Sequence, residues 1–411
     1  MTLSCVGLAC LMSASFAAAQ SAESAPAQTA PAQTASTPAS SSASAQAASS
    51  SDGASDKTPD EWWRTITFGA AFEGYYQFNA NRPPDRRVAL RAYDQRANSF
   101  SIQQAAIVID AAPDVSANRR FGVRLDLQFG QATDAVQGNP ANEPRAEIYR
   151  HVWQAYGTYI FPVGRGLQVD FGKFASNLGY ETNYAKDNQA FSRAYLFNFL
   201  PFYHSGVRTT YPVNDKVTLM YMLTNGIQQT EDFNDFKSHH VTAIIKPIST
   251  VSWTTSSYTG QEQPDGGKPG GPDGRFRVID SYVTYTPTPV WTLGVDVNRT
   301  TNQLESRDPK LSLTGVAGYA RYQFTPAAAV GVRYEHLADE GLFGGLDQRL
   351  QEITATLEYT FAEGFLVRGE FRRDWSDEDF FPARAVDARK DHQNTALIGL
   401  VWWIGNKKGA W

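Results

Sequence analysis

The side chains of this 411-residue chain best suited to metal ligation or proton transfer are its six histidines, His151, His204, His239, His240, His336 and His392. They are scattered without the ligand spacing of a metal site. The adjacent His239 and His240 point to opposite faces of an extended segment and do not chelate together. No G-x-S-x-G elbow, P-loop, H-E-x-x-H or EF-hand pattern occurs. The run from Gly266-Gly267 to Gly274, with Pro264, Pro269 and Pro272, has the glycines of a phosphate cradle but lacks the following Lys-Ser/Thr and helix. It reads as an outer loop. His240 or His336 beside a Ser or Thr keeps a hydrolase reading open, although position alone supplies no oriented third group. No catalytic set, metal or cofactor is expected.

Charge recurs instead at alternate positions. Arg124 and Asp126, Arg208, Arg321, Arg333 and Glu335, and Arg368, Glu370 and Arg372 sit on the polar side of segments whose other side is apolar. Glu73, Arg150, Gln154, Asp170, Asp296, Glu352, Glu358 and Asp374 fall in the same positions. Side chains that alternate in this way line one face of a sheet. If the sheet closes with these residues inside, the interior should be wet, because an unpaired buried charge is too costly to keep dry. The corresponding chemistry is a field from fixed charges acting on what passes through. Acidic and basic members are nearly balanced, so the sequence indicates no ion preference.

Strands are the elements that must position those charges. Aromatics form 13% of the chain while only 4 Met occur, a balance that favours strands over helices. After Pro59 no apolar period of 3.6 is sustained, and no apolar run approaches the ~20 residues of a membrane helix. Period two dominates. Phe68, Ala70, Phe72, Tyr76 and Phe78 form one apolar face, Phe121 to Phe129 a second, Trp291 to Val297 a third and Ile353 to Phe361 a fourth. Short turns follow Pro113, Pro162, Pro212, Pro247, Pro287 and Pro326, and the last is Ala362-Glu363-Gly364. Long polar connections lie near 80–98, 131–145, 175–205, 226–237, 260–275, 301–311, 338–350 and 376–392.

Eight long and seven short connections join sixteen strands. The predicted fold is all-β, a transmembrane antiparallel β-barrel with short periplasmic turns and long extracellular loops. Barrels of about 16 to 18 strands are wide enough to leave an aqueous channel. Trp62, Trp63, Tyr76, Tyr159, Phe161, Tyr359, Phe361, Trp402 and Trp403 gather at strand ends, as anchoring at the headgroups of outer-membrane lipid requires. Long apolar faces and strictly alternating loop lengths weigh against a soluble sandwich or propeller.

A net charge of −5 without a basic block excludes a nucleic-acid partner. Residues 1–19 read as a secretory signal ending in Ala17 and Ala19, although no basic residue precedes Lys57. Residues 20–58, almost only Ser, Ala, Pro, Gln and Thr, read as a disordered leader, and 59–411 as the barrel. Both cysteines, Cys5 and Cys10, fall in the signal, so the barrel has no thiol.

The connection at 175–205 mixes Tyr180, Tyr184, Phe191, Tyr195, Phe197, Phe199 and Phe202 with Glu181, Lys186, Asp187 and Arg193. An exposed loop has no reason to be so aromatic. It is expected to fold against the inner wall and narrow the channel, with Arg193 and Lys186 facing acidic wall groups. Charge reversal at Arg193 should then alter ion preference more than reversal at Arg86.

Asp170-Phe171-Gly172-Lys173-Phe174, Gly179-Tyr180-Glu181, Asn188 to Ser192-Arg193 and Pro201-Phe202-Tyr203-His204-Ser205-Gly206 resemble the signature stretch of the β-barrel porin-2 family, the OmpL-like outer-membrane porins. Gly74-Tyr75-Tyr76 with Asn79 to Arg82, and Asn98-Ser99-Phe100-Ser101-Ile102, are similar to that family's first hairpin. The resemblance implies a pore in the outer membrane of a Gram-negative bacterium, passing small hydrophilic solutes or ions. A monomer or homotrimer fits it equally. A barrel that anchors or scaffolds a partner is the alternative. Trp411 resembles the aromatic end of a barrel-assembly signal, but the tail from Asn406 to Ala410 interrupts the alternation. Trp411 is therefore expected either to close the last strand or to lie in the periplasm.

Overall fold

A computed structural model describes residues 62–137, 143, 145–264, 272–407 and 409–411, without the side chains of Trp62 and Trp63. The expected signal and leader, Cys5 and Cys10, most of the glycine run and the anchoring by Trp62 and Trp63 lie outside the described residues.

Sixteen strands form one closed antiparallel barrel. They are β1 (Thr67–Asn79), β2 (Ser99–Ala111), β3 (Phe121–Phe129), β4 (Val152–Phe161), β5 (Leu167–Ala175), β6 (Tyr203–Pro212), β7 (Val217–Thr224) and β8 (Ser238–Ile245). The ring continues through β9 (Val251–Gly260), β10 (Phe276–Thr288), β11 (Trp291–Asn302), β12 (Leu311–Gln323), β13 (Ala328–Glu340), β14 (Asp347–Ala362), β15 (Phe365–Ser376) and β16 (His392–Gly405). Each strand pairs with its neighbour in sequence, and β1 pairs with β16 from Gly69↔Gly405 to Asn79↔Thr395, which removes the last free edge. Among the described residues no helix is long and apolar enough to cross a membrane.

The alternation faces as the charges require, inverted relative to a soluble protein. On β14, Ile353, Leu357, Tyr359 and Phe361 are exposed while Glu352, Thr354, Thr356 and Glu358 are buried inside. Aromatic rings form a run along the short-turn end of β14 to β16, with Tyr359 against Phe361, Phe361 against Phe365, and Phe365 stacked on Trp402 at 4.6 Å. Trp403 departs from the expected rim. It is one residue out of phase with Trp402 and packs inward beside Ala71 and Trp411.

The connections fall where the turn residues put them, except at 130–151. Two short helices there, Ala132–Val136 and Ala146–Tyr149, delay the start of β4. Arg150 therefore lies outside the strand, paired with Asp134, and does not line the wall.

Candidate functional site

Residues 176–202, between β5 and β6, lie inside the barrel. This segment has no ladder of its own, so its peptide groups need partners. The inward charges supply them. Loop N–H groups donate to wall carboxylates: Gly179 to Asp280 (2.9 Å), Tyr180 to Asp296 (3.1 Å), Ala185 to Glu73 (2.7 Å), Phe191 to Glu370 (2.9 Å) and Tyr195 to Glu335 (2.6 Å). Loop carbonyls accept from wall guanidiniums: Ser192 from Arg333 (2.8 Å), Asn188 and Ala190 from Arg368 (2.6 and 2.9 Å), and Arg193 from Arg372 (2.7 Å).

The loop crosses the lumen. Gly179 is tied to β10, and four residues later the Asn183 carbonyl accepts from Gln104 on β2 (3.1 Å). β2 and β10 stand diametrically opposite in the sixteen-stranded ring. At no more than about 3.6 Å per residue the chain between these anchors covers about 14 Å, and the inward-reaching side chains of Asp280 and Gln104 bridge the rest of the gap. Loop 80–98 reinforces it, because Arg91 pairs with Asp374 on β15 (2.9 Å) and the Ala92 N–H donates to Asn198 (3.3 Å).

Inward glycines make room for the loop's large side chains. A Cβ on Gly399 would sit 2.2 Å from the Phe191 ring, and one on Gly294 would sit 2.5 Å from that of Tyr180. Tyr195 and Leu196 join Leu313, Leu337 and Phe343 in an apolar cluster inside the barrel.

These contacts change the expected roles of the charges. The interior was predicted to be wet because so many charges could not be kept dry. At loop level they are instead buried and paired. Arg333 bonds Glu181 and Glu352 at 2.8 and 2.6 Å, Arg372 bonds Asp374 at 2.7 Å, and Arg368 bonds Glu358 at 2.6 Å. Paired charges with backbone partners tolerate exclusion of water, which is the physical reason the inference failed there. Arg193 does not face open acidic wall. It is fully buried, donates to the Thr182, Asn183 and Phe191 carbonyls, and lies 3.8 Å from Glu73, so it holds the loop's own curve.

Other pairs stand on the opposite arc or nearer the short-turn end. Arg124 bonds Asp126 at 2.7 Å and is buried. Arg208 bonds Asp170 at 2.7 Å over the Phe174 ring, with 14% of its side chain exposed, and Arg321 reaches Glu358 at 2.6 Å with 23% exposed.

Lys186 and Asp187 pair at 2.9 Å at the turn of the loop that meets the tail after β16. Burial pulls the Lys186 ammonium below its usual range and pushes the Asp187 carboxyl above its own, while the charge of each works against the other's shift. Trp411 neither closes the last strand nor hangs free. It is 1% exposed, packed edge-on to Tyr184 at 5.6 Å, with its backbone N–H donating to Asp187 at 3.2 Å and its indole N–H to the Lys407 carbonyl at 3.3 Å. Gly69, Ala71, Ala106 and Val108 form its notch, and a Cβ on Gly69 would stand 2.7 Å from the indole. This docking was missed in the sequence, although small apolar residues at inward positions of a charged wall are its signal.

Inside the barrel His204 meets the Ser176 hydroxyl (3.2 Å), and its other ring nitrogen meets the Gly226 carbonyl (3.1 Å) rather than a carboxylate. His239 faces outward onto the Tyr221 hydroxyl (2.8 Å), while His240 faces inward beside His204 and Tyr258. No group of three or more His, Cys, Asp or Glu among the described residues could hold a metal ion.

Solved structures of the same fold include OmpT of Vibrio cholerae in a trimer form, with a TM-score of 0.55 and 11% identity, covering 83% of this chain and 99% of that one. The outer-membrane channel DcaP of Acinetobacter baumannii matches with a TM-score of 0.56 and 10% identity over 82% and 97%. An anion-selective porin from Comamonas acidovorans matches with 0.54 and 9% identity over 82% and 99%. No curated protein sequence matches. Residues 65–402 match the family described as "Putative beta-barrel porin-2, OmpL-like". With its closed sixteen-stranded barrel and inward loop, the chain belongs to the β-barrel porin-2 family.

Proposed function

We propose that this protein is an outer-membrane porin giving passive diffusion of small hydrophilic solutes or ions, with the loop at 176–202 as its constriction. The observation that carries this reading is an inward polar face on a ring of sixteen strands, crossed by a loop that the face itself anchors. Selectivity then falls to charges not consumed in anchoring, foremost Arg208 with Asp170, and Arg321 with Glu358. Arg333, Glu335, Arg368, Glu370 and Arg372, together with Glu181 and Arg193 of the loop, act by holding the constriction in shape. Catalysis is no part of the reading.

Single-channel recording of the refolded protein in a planar bilayer tests it. Discrete open steps, with a reversal potential in a KCl gradient, are expected. Insertion without conductance refutes the pore and selects the second reading, a closed barrel that anchors a partner. The dense packing of loops 80–98 and 176–202 inside the lumen is the observation favouring that alternative.

A further inference from the structure

The outward face of the barrel differs between its two sides at the long-loop end. Among the described residues, Arg277, Arg299, Arg349 and Arg373 are exposed arginines flanked by inward-facing neighbours, and all lie on β10, β11, β14 and β15. Around β1 to β3 the strand ends carry aromatics instead, with the Tyr76 ring tilted against that of Phe100 at 4.8 Å and Phe129 closing β3 beside His151. A lipid-facing arginine is costly in hydrocarbon, so three of them at one depth need an explanation.

Their depth supplies one. Arg277 is eight residues from Tyr285 along β10, Arg299 eight from Trp291 along β11, and Arg373 eight from Phe365 along β15. Tyr285, Trp291 and Phe365 stand at the short-turn end. Eight residues at about 3.4 Å each, tilted by about 40°, rise about 20 Å. An extended arginine adds several ångströms, so the guanidiniums reach the far boundary of an apolar band about 25 Å tall.

We propose that this arc is a binding surface for the phosphate groups of an anionic glycolipid in the leaflet on the long-loop side. Arg277 and Arg299 are diagonal neighbours, since Arg277 pairs with Thr301 and Arg299 with Ile279, which brings two planar forks within reach of one phosphate once Arg299 leaves the Thr314 hydroxyl it donates to here. Arg373, beside Asn394 (3.3 Å), offers a second point of capture. Arg349 is set aside, because Asp377 stands 3.9 Å away and Glu340 and Asp347 face each other one step farther out. Charge complementarity at the edge of the apolar band selects a phosphate-bearing lipid over a second copy of this chain, whose outward acidic strand residues Glu340 and Asp347 stand beside its own Arg349. The proposal rests on the membrane orientation of the porin reading but not on conductance.

Native mass spectrometry of the full chain, with bisphosphorylated lipid A as the probe, tests it. The triple variant Arg277→Gln, Arg299→Gln, Arg373→Gln is compared with a control, Arg119→Gln, Arg165→Gln, Lys216→Gln, which removes three positive charges from the short-turn end. Lipid retention should fall at least tenfold in the first and stay near wild type in the second, with dephosphorylated lipid A bound weakly by all three. Millimolar inorganic phosphate should not displace the lipid, whereas displacement would show a free-anion site and overturn the lipid assignment. Equal retention by the two variants also overturns it. Unaltered channel steps in the first variant would show that its barrel folds, and would separate failure of this proposal from failure of the pore.

Discussion

Replacing Trp411 by Ala should release the tail from the barrel and loosen the loop at 176–202. The indole is 1% exposed in its notch. Burying the ~150–250 Å² of an aromatic side chain at about 25 cal/mol per Å² is worth about 4–6 kcal/mol as an upper bound, and deletion of a buried Trp costs about 3–5 kcal/mol. Ordering the backbone from Asn406 to Trp411 costs about 1–2 kcal/mol per residue. The remaining ties are six: Lys407 to Asp110 (2.8 Å), Lys186 to the Gly409 carbonyl (3.1 Å), the Asn406 and Lys407 N–H groups to the Phe68 carbonyl (2.9 and 3.2 Å), the Phe68 N–H to Asn406 (2.6 Å) and the backbone N–H of residue 411 to Asp187 (3.2 Å), worth about 0.5–1.5 kcal/mol each. Without the indole the ties fall short of the ordering cost, so the tail should undock. Trypsin should then cut after Lys407 at least tenfold faster than in wild type. Open-channel current should become larger and noisier, because Lys186 and Asp187 lose the contact that packs them. Trp411→Phe, which keeps a ring in the notch, should lie near wild type in both assays. Equal cleavage rates for wild type and Trp411→Ala would refute the reasoning, whatever the current does.

Other outcomes follow from the same geometry. Arg208→Glu should move the zero-current potential in a salt gradient toward cations, whereas Arg193→Gln should lower thermal stability with little change in ion preference. The reverse result would restore Arg193 as a selectivity group. Gly399→Val forces a side chain into the Phe191 ring and should cost about 1–3 kcal/mol, read as a lower unfolding midpoint, while Gly369→Val, where a Cβ meets nothing within 4 Å, should not. Glu262, beyond the end of β9, accepts from the Ile227 N–H (2.7 Å), Tyr258 (2.6 Å) and Ser238 (2.9 Å), and burial pushes its carboxyl above the usual range. A raised folded value means that its contribution is whole below the unfolded value, near 4.3, and fades as pH rises through the folded one. Protection of the amides in 225–237, measured relative to their intrinsic base-catalysed exchange rate at each pH, should therefore rise on going from pH 8 to pH 5, and Glu262→Gln should leave it flat.

Strand number, closure and inside-out facing were legible in the sequence, because each rests on a local rule. Period two decides which side chains share a face, and Pro- or Gly-marked turns decide where the chain reverses. Ile353 to Phe361 against Glu352 to Glu358 needed no tertiary information to be sorted. The strand start that moved farthest, at β4, was displaced by two short helices that carry no side-chain cap to announce them, while β6 and β14 begin a few residues earlier than expected, at Tyr203 and Asp347. The aromatic content of 175–205 likewise foretold an inward loop, since those rings had to be covered by something.

What the sequence could not decide was which charge meets which partner. Arg193 and Arg208 look alike in a one-dimensional reading, yet one is consumed by three carbonyls of its own loop while the other stays partly open beside Asp170. Such pairings join residues far apart in sequence, such as Glu73 with Ala185 or Arg91 with Asp374. They exist only once closure has brought opposite walls within reach of one loop. By itself the sequence determined a sixteen-stranded barrel with a polar interior, because alternation and turns act over a few residues. Only the tertiary structure decided that the charges at the level of the loop are buried and paired, that they serve first as loop anchors and that Trp411 belongs inside, because burial is a property of the closed ring.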